Sequence, residues 1–189
     1  MIETLINWDI QFFLWLNSFH SPFWDTVMYY ISEKETWYPL YLLIIIYLFI
    51  QQRWKAFISL VFIAACVTMT DQGSVQLFKE VFQRLRPCHN PDINDMVHIV
   101  RDKCGGLYGF VSSHAANTFG VAFFLAFILK KRWFSISILF WATVVSYSRI
   151  YLGVHYPLDI LGGAMLGAVV ASILYLLYQF LYQKFGLNR

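Results

Sequence analysis

Residues 148–159 read Ser-Arg-Ile-Tyr-Leu-Gly-Val-His-Tyr-Pro-Leu-Asp and form a polar island between two long apolar runs. Arg149, His155 and Asp159 stand together where the surrounding chain holds mostly Phe, Leu, Ile and Val. Ionisable groups at the border of a membrane-length apolar segment are costly, and they are therefore functional candidates. We expect the rest of the chain to hold this island, with two partner clusters, at one face of a bilayer.

The composition of the 189 residues is typical of an integral membrane protein. Hydrophobic residues make up 59% of the chain and charged residues only 13%, whereas a soluble domain usually carries about 25% charged residues. The length suits one domain over residues 1–189. The net charge of +3 is not gathered into a basic face, so nucleic acid is not an expected partner. Asp9 and Gln11 interrupt the N-terminal apolar run, which argues against a cleavable signal peptide.

The apolar pattern predicts an all-α bundle of about six transmembrane helices, with an amphipathic helix over residues 3–19 lying in the interface. Further helices are predicted over residues 22–32, 37–51, 55–80, 113–130, 133–148 and 156–183. Either of the first two helices could make the first crossing. Residues 86–111 are rich in Pro, Gly and charged residues, and they are predicted to form a loop.

Basic residues in the short connections predict the orientation in the membrane. They are Arg53, Lys55, Lys130, Lys131, Arg132, Lys184 and Arg189. Threading the helices places all of them on one side, which the positive-inside rule assigns to the cytoplasm. The loop and the polar island then share the opposite side. We therefore expect a multi-pass protein of a bacterial inner membrane whose chemistry faces the exterior.

The three cysteines do not indicate a metal site. Cys66 lies inside an apolar run and is expected to be a packing residue. Cys88 and Cys104 flank the polar loop, and a disulfide between them is allowed only in an oxidising compartment. The predicted orientation provides one. The chain has no Cys-x-x-Cys spacing or Cys/His set typical of zinc.

The first partner cluster contains Lys79 and Arg86, at the end of the helix predicted over residues 55–80. They are seven residues apart, so they share one helical face if the helix continues. An ammonium and a planar guanidinium on one face suit the oxygens of a phosphate. The alternative is a basic anchor at the membrane border, with both side chains reaching towards water.

The second partner cluster is residues 109–117, in which Gly109 and two serines lead into a helix. Ser112 or Ser113 is a natural N-cap, and capping alone explains the pair. The functional alternative uses the free N–H groups of the helix start as an anion site. It also places the titratable His114 beside that anion.

The island itself supplies the third cluster. His155 and Asp159 are four residues apart, so a continuous helix would place them on one face. An Asp so placed holds an imidazole in one tautomer and stabilises its cation, as in the Ser-His-Asp triad. A His–Asp cap at a helix start is the alternative, but it does not account for Arg149. The three clusters are poor in carboxylates and rich in phosphate-binding groups, which favours phosphoryl transfer without a metal or cofactor.

In these motifs the chain resembles the type 2 phosphatidic acid phosphatase (PAP2) superfamily of membrane lipid phosphatases. The family motif Lys, six residues, Arg-Pro is matched by residues 79–87, and Ser-Arg, five residues, His, three residues, Asp by residues 148–159. The motif Pro-Ser-Gly-His reads Val-Ser-Ser-His over residues 111–114. The family holds phosphate with the backbone N–H at the Gly. Ser113 offers that group less freely if φ must be positive.

The resemblance implies hydrolysis of a lipid phosphate or diphosphate through a phosphohistidine at His155. It implies that Asp159 orients His155 and that His114 protonates the leaving group and then activates water. The phosphate-binding residues that it implies are Lys79, Arg86, Ser112, Ser113 and Arg149.

The family's substrates include undecaprenyl diphosphate, phosphatidylglycerol phosphate, phosphatidic acid and lipid A. The small size and short loops favour undecaprenyl diphosphate or a glycerophospholipid phosphate, with lipid A as the alternative. A non-enzymatic lipid-phosphate binder or transporter is a further alternative. The presence of His155, Asp159 and His114 argues against it, because binding alone requires neither a nucleophile nor an acid.

Two further patterns have structural interpretations. Asp71 lies in mid-helix, where a helix–helix hydrogen bond with Ser or Thr is simpler than a catalytic role. Residues 163–167 read Gly-Ala-Met-Leu-Gly. This small-xxx-small pattern predicts close helix packing and would also suit a homodimer face.

Overall fold

The computed structural model describes residues 2–185, and within them the regular structure is entirely helical. The main helices are α1 (Ile2–Asn17), α2 (Pro22–Ser32), α3 (Tyr38–Gln52), α4 (Ala56–Gly73), α5 (Ser113–Leu129), α6 (Arg132–Tyr151) and α7 (Pro157–Lys184). The predicted all-α fold is confirmed, and each predicted helix has a counterpart. Arg189, one of the basic residues used to predict the orientation, lies outside the described residues.

Several helices have the length and apolar character of membrane spans. Three helical stretches meet both conditions, Lys34–Phe82, Arg132–Tyr151 and Pro157–Lys184, while Ser113–Leu129 is apolar but shorter. The first stretch folds back on itself, because α3 ends where Arg53 takes a φ of 52° and α4 packs against α3. Large apolar side chains such as Phe140 remain exposed on the outer faces, where lipid can cover them. The chain is an integral membrane protein.

Helix α5 lies inside the bundle, in contact with α4, α6 and α7. The closest packing is against α7, where a Cβ added to Gly167 would lie 2.6 Å from the carbonyl oxygen of Ala116 and from the amide nitrogen of Gly120. The predicted close packing of residues 163–167 is therefore confirmed. These glycines contact α5 of the same chain, and the homodimer stays a prediction.

The loop between α4 and α5 is held by a backbone bridge near its ends and by a disulfide closer to its middle. Leu85 and Tyr108 pair as an antiparallel bridge, so the chain leaves α4 and returns to α5 side by side. Cys88 and Cys104 form a disulfide, with their Cα atoms 6.0 Å apart. His89 lies beside these two cysteines, but their sulfur atoms are committed to each other and do not offer thiolate ligands to a metal.

Four helix ends meet at the end of the bundle that carries this loop. Helix α4 continues through a π-helical turn, Ser74–Lys79, and a last turn, Glu80–Phe82. Helices α5 and α7 begin at this end, and α6 finishes here. The three polar clusters of the sequence are therefore brought to one end of the bundle.

Candidate active site

His155, in the turn between α6 and α7, and Asp159, in the first turn of α7, form a buried pair. The Nδ1 atom of His155 lies 3.3 Å from Oδ2 of Asp159, which also accepts a hydrogen bond from the Tyr156 amide at 3.0 Å. No continuous helix runs through both residues, because α7 begins at Pro157, close to the predicted start at residue 156, and His155 precedes it. Asp159 instead reaches back across the start of the helix. With Nδ1 held by the carboxylate, Nε2 is the ring nitrogen left for a substrate.

Arg84 supports Asp159 from the other side, and the sequence interpretation missed it. Its guanidinium donates to Oδ1 of Asp159 at 3.0 Å and to Oδ2 of Asp9 at 2.6 Å. It also lies 4.0 Å from the ring centre of Tyr156. Asp9 in α1 accepts a second hydrogen bond, from the Leu158 amide, at 2.9 Å. Both oxygens of Asp159 are therefore held, and α1 is tied to the start of α7.

Two sequence signals could have pointed to this support. Asp9 is an acidic residue that interrupts the apolar run of α1, and a charge in that setting requires a partner. Arg84 stands two residues before Arg86, within the first phosphate-binding motif. Neither signal says that the two residues meet, because 75 positions separate them.

Lys79 and Ser113 are joined by a hydrogen bond of 2.6 Å from Nζ to Oγ. The Ser113 hydroxyl also lies 2.6 Å from that of Ser74 in α4. Ser113 is the first residue of α5 and is not one of the residues with a positive φ. A Ser therefore fits this position without strain, and its hydroxyl positions the Lys79 ammonium.

Ser112 is the N-cap of α5, as one of the two sequence alternatives predicted. Its hydroxyl accepts a hydrogen bond from the Ala115 amide at 3.4 Å. Its own amide donates to the carbonyl oxygen of Asp159 at 2.9 Å. This fully buried residue thus links the start of α5 to the start of α7.

Arg86 does not share a helical face with Lys79, because the helix does not continue as far as Arg86. The last turn of α4 ends at Phe82, and Gln83 takes the left-handed conformation, with φ 47° and ψ 32°, which terminates a helix. Arg86 belongs to the loop, where its Nε donates to the Tyr108 carbonyl oxygen at 3.3 Å. Its charge nevertheless lies close enough to act on Lys79.

Three cations lie close enough to His155 to act on its charge. Burial lowers the pKa of the His155 imidazole well below its usual value, and the nearby charges of Arg86, Arg149 and Lys79 lower it further. A neutral imidazole is the form that can act as a nucleophile. Arg149 is itself held by a hydrogen bond to the hydroxyl of Ser32 in α2.

His114, the second residue of α5, shares this environment. Arg149, His155 and Lys79 all lie close enough to act on its charge, as does Lys34. The sequence interpretation did not single out Lys34, an exposed residue just after α2. The structure thus gathers the predicted site residues at one end of the bundle.

Gly109 lies directly against the His155–Asp159 pair, where there is no room for a side chain. A Cβ added there would lie 3.1 Å from Oδ2 of Asp159 and 3.5 Å from Nδ1 of His155. A larger residue would therefore press on the His155–Asp159 hydrogen bond.

Asp71 makes a structural contact between α4 and α5. Its Oδ1 accepts a hydrogen bond of 3.4 Å from the side-chain amide of Asn117 in α5, and Asn117 in turn accepts one of 2.6 Å from Thr70. The predicted helix–helix hydrogen bond is confirmed, but its donor is Asn117 and not the expected Ser or Thr.

Comparison with known proteins points to one family. A model of the PAP2 superfamily matches residues 57–183. The lipid A 4′-phosphatase of Bacteroides thetaiotaomicron is 43% identical over 178 residues, which cover 93% of this chain and 79% of that protein. The protein of the same name from Porphyromonas gingivalis is 34% identical over 178 residues, covering 94% and 75%.

A solved structure is similar to the whole bundle. The crystal structure of a transmembrane PAP2-type phosphatidylglycerolphosphate phosphatase from Bacillus subtilis matches with a TM-score of 0.65 and 24% identity. The match covers 93% of this chain and 87% of the Bacillus subtilis chain. At that identity, the similarity is one of fold.

Proposed function

The chain belongs to the PAP2 superfamily and is a membrane lipid phosphatase, and we propose that it removes the 4′-phosphate of lipid A through a phosphohistidine at His155. The observation that carries the mechanism is the buried His155–Asp159 pair among three cations. The evidence for lipid A as the substrate is the similarity to the two relatives named lipid A 4′-phosphatase.

In the first step Nε2 of neutral His155 attacks the phosphorus of the bound lipid. His114 enters this step protonated, a form that the negative charge of the bound phosphate favours. The bond between phosphorus and the sugar oxygen breaks, and His114 gives its proton to that oxygen. Lys79, Arg86 and Arg149 stabilise the negative charge that the phosphoryl oxygens carry in the transition state. The Asp159 carboxylate stabilises the positive imidazole ring of the phosphohistidine.

In the second step water replaces the imidazole on phosphorus. His114, now neutral, takes a proton from the water as it attacks, and the bond between phosphorus and Nε2 breaks. Inorganic phosphate leaves, and His155 returns to its neutral form. Each bond that forms is matched by one that breaks, so these residues complete the cycle without a metal or cofactor.

Lipid A was an alternative substrate in the sequence analysis, and it is now the first candidate. Size and loop length placed undecaprenyl diphosphate and glycerophospholipid phosphates before lipid A. The two lipid A 4′-phosphatases match along at least three quarters of their length, which makes lipid A the first substrate to test. Any of these lipids would present its phosphate at the membrane border, where His155 lies.

We also propose that the site faces the exterior of a bacterial inner membrane. The basic connections lie at the opposite end of the bundle, which the positive-inside rule assigns to the cytoplasm. The Cys88–Cys104 disulfide supports this orientation, because such bonds persist in oxidising compartments.

The test is phosphate release by the purified protein in detergent from lipid A, undecaprenyl diphosphate, phosphatidylglycerol phosphate and phosphatidic acid. We expect the fastest release from lipid A, with loss of the 4′-phosphate seen by mass spectrometry. Faster release from undecaprenyl diphosphate would overturn the substrate assignment. Release from none of them would favour the binder or transporter.

The mechanism has its own test in the same assay. His155→Ala should abolish both phosphate release and the acid-labile phosphate trapped on the protein. Retention of near-wild-type release would refute the role of His155. Activity should persist in a chelator, and a loss that Mg²⁺ restores would refute the metal-free mechanism.

A further inference from the structure

A second polar concavity lies at the end of the bundle opposite His155. It has a volume of about 740 Å³ and lies between the connection after α3, the end of α5 and the last turns of α7. The 17 residues of α5 separate it from Ser113 by roughly 25 Å. We call this concavity the basic bowl, and the lipid phosphatase site does not extend into it.

The basic bowl is lined by cations from two connections and by no acidic side chain. Arg53 lies in the connection after α3 and Lys130 in the connection after α5, and no carboxylate side chain among residues 2–185 lines the bowl with them. The sequence has no Asp or Glu over residues 36–70, over 103–158 or after Asp159. A cleft lined by one sign of charge concentrates ions of the opposite sign, so the bowl selects for an anion.

The polar groups of the bowl suit a phosphate. The Arg53 guanidinium offers a planar fork, and the Lys130 ammonium offers a point charge. Gln52 also lines the bowl, and its side-chain oxygen already accepts a hydrogen bond of 2.5 Å from Ser59. Its amide group is thereby left to donate.

The apolar side chains that line the bowl favour a lipid over a free anion. Ile50, which is 69% exposed, and the half-buried Phe127 and Ile128 also line it. An acyl chain can lie against these side chains while the phosphate meets the cations. A zwitterionic headgroup would bring an ammonium group for which the bowl has no carboxylate side chain.

We propose that the basic bowl binds the headgroup of an anionic phospholipid from the leaflet at this end of the bundle. The inference does not depend on the identity of the lipid that is dephosphorylated. Scattered basic residues at a membrane border attract anionic lipid without a defined site. The bowl differs because its cations come from two separate connections and converge on one concavity.

The experiment measures retention of phosphatidylglycerol and phosphatidylcholine by native mass spectrometry of the full-length protein. The bowl variant is Arg53→Gln/Lys130→Gln. The matched control is Lys131→Gln/Arg132→Gln, which removes the same charge from the same end but from residues that do not line the bowl. Phosphate release by each variant reports whether it is folded.

We expect the wild type and the control to retain one phosphatidylglycerol molecule, and the bowl variant to bind it about 30-fold more weakly, from about 1 kcal/mol per basic residue. Equal losses in the two variants would show diffuse attraction and overturn the proposal. Equal retention of phosphatidylcholine, or displacement by inorganic phosphate at the same concentration, would also overturn it.

A measurement on the wild type covers the case in which the bowl variant does not fold. Trp54 lines the bowl, so brominated phosphatidylglycerol should quench a component of the fluorescence that Trp54→Phe removes. Quenching by brominated phosphatidylcholine to the same extent would contradict the selectivity.

Discussion

Replacing Arg84 with Gln would remove the charged support of Asp159 while leaving the phosphate-binding cations in place. The substitution deletes the hydrogen bonds of 3.0 Å to Asp159 and 2.6 Å to Asp9. The two carboxylates would then lie near each other without the cation between them. Asp159 would still face His155, but its second oxygen would no longer be fixed.

The size of the effect follows from these contacts. A hydrogen bond to a charged group contributes roughly 1.5–3 kcal/mol, and each 1.4 kcal/mol changes a rate about tenfold. If the Asp159 bond acts in the transition state, kcat should fall by roughly 10- to 100-fold. KM should change little, because Arg84 is committed to the two carboxylates.

The loss of stability is a separate quantity. Breaking a buried ion pair by removing one partner costs about 3–5 kcal/mol, and Arg84 is 21% exposed, which places the expected loss at the lower end. The double variant Arg84→Gln/Asp9→Asn removes the unpaired charge of Asp9. It should recover thermal stability while kcat stays low.

The assay is phosphate release over a range of lipid concentrations, with thermal unfolding of each variant measured in parallel. Arg101→Gln is the control, because this exposed loop arginine lies over the ring of Tyr29, away from Asp159. A kcat for folded Arg84→Gln within twofold of the control would refute the positioning role. So would recovery of kcat in the double variant.

Three further predictions concern the histidine, its carboxylate and the loop. Asp159→Asn should lower kcat by up to about 10⁴-fold, the effect of the equivalent change in a Ser-His-Asp triad, and single-turnover phosphate release measures it. Because the pKa of His155 is lowered by burial, the unfolded chain takes up a proton below about pH 6.5 that the folded protein does not. Stability should therefore fall as the pH drops through that range, and thermal unfolding should show a smaller fall for His155→Gln. Replacing Cys88 and Cys104 with Ser should cost about 3 kcal/mol of stability and raise KM, because the loop carbonyl groups that hold Arg86 would move.

Each of these predictions has an outcome that contradicts it. An unchanged kcat for Asp159→Asn would leave that residue only a helix cap. An equal loss of stability on acidification in wild type and His155→Gln would assign the effect to other groups. An unchanged KM after removal of the disulfide would show that the loop does not position Arg86.

The helices could be predicted because each one is a long apolar run bounded by a local signal. Ser112 caps α5, and Pro157 occupies the first turn of α7; both signals can be identified from neighbouring residues alone. The shared helical faces that a continuing helix would have produced at two polar clusters do not form. Gln83 ends the helix before Arg86, and α7 starts after His155, because turns that serve a site follow the contacts of that site and not the helical period.

The sequence by itself determined that the chain is a helical membrane protein and which residues carry the three motifs, since both follow from composition and fixed spacing. Only the tertiary structure decided what supports those motifs. Asp9 meets Arg84 and Arg84 meets Asp159 across 75 positions each, because α1 and the loop pack against the start of α7. The basic bowl arises in the same way, from separate connections brought together at the far end of the bundle.

The polar island over residues 148–159 shows both what the sequence determined and what the tertiary structure decided. Its sequence identified the His155–Asp159 pair. Packing decided the geometry of the loop. This geometry places Gly109 next to the His155–Asp159 pair and lets Arg84 donate a hydrogen bond to Asp159. Contacts between distant segments depend on how whole helices fit together, and no local pattern encodes them.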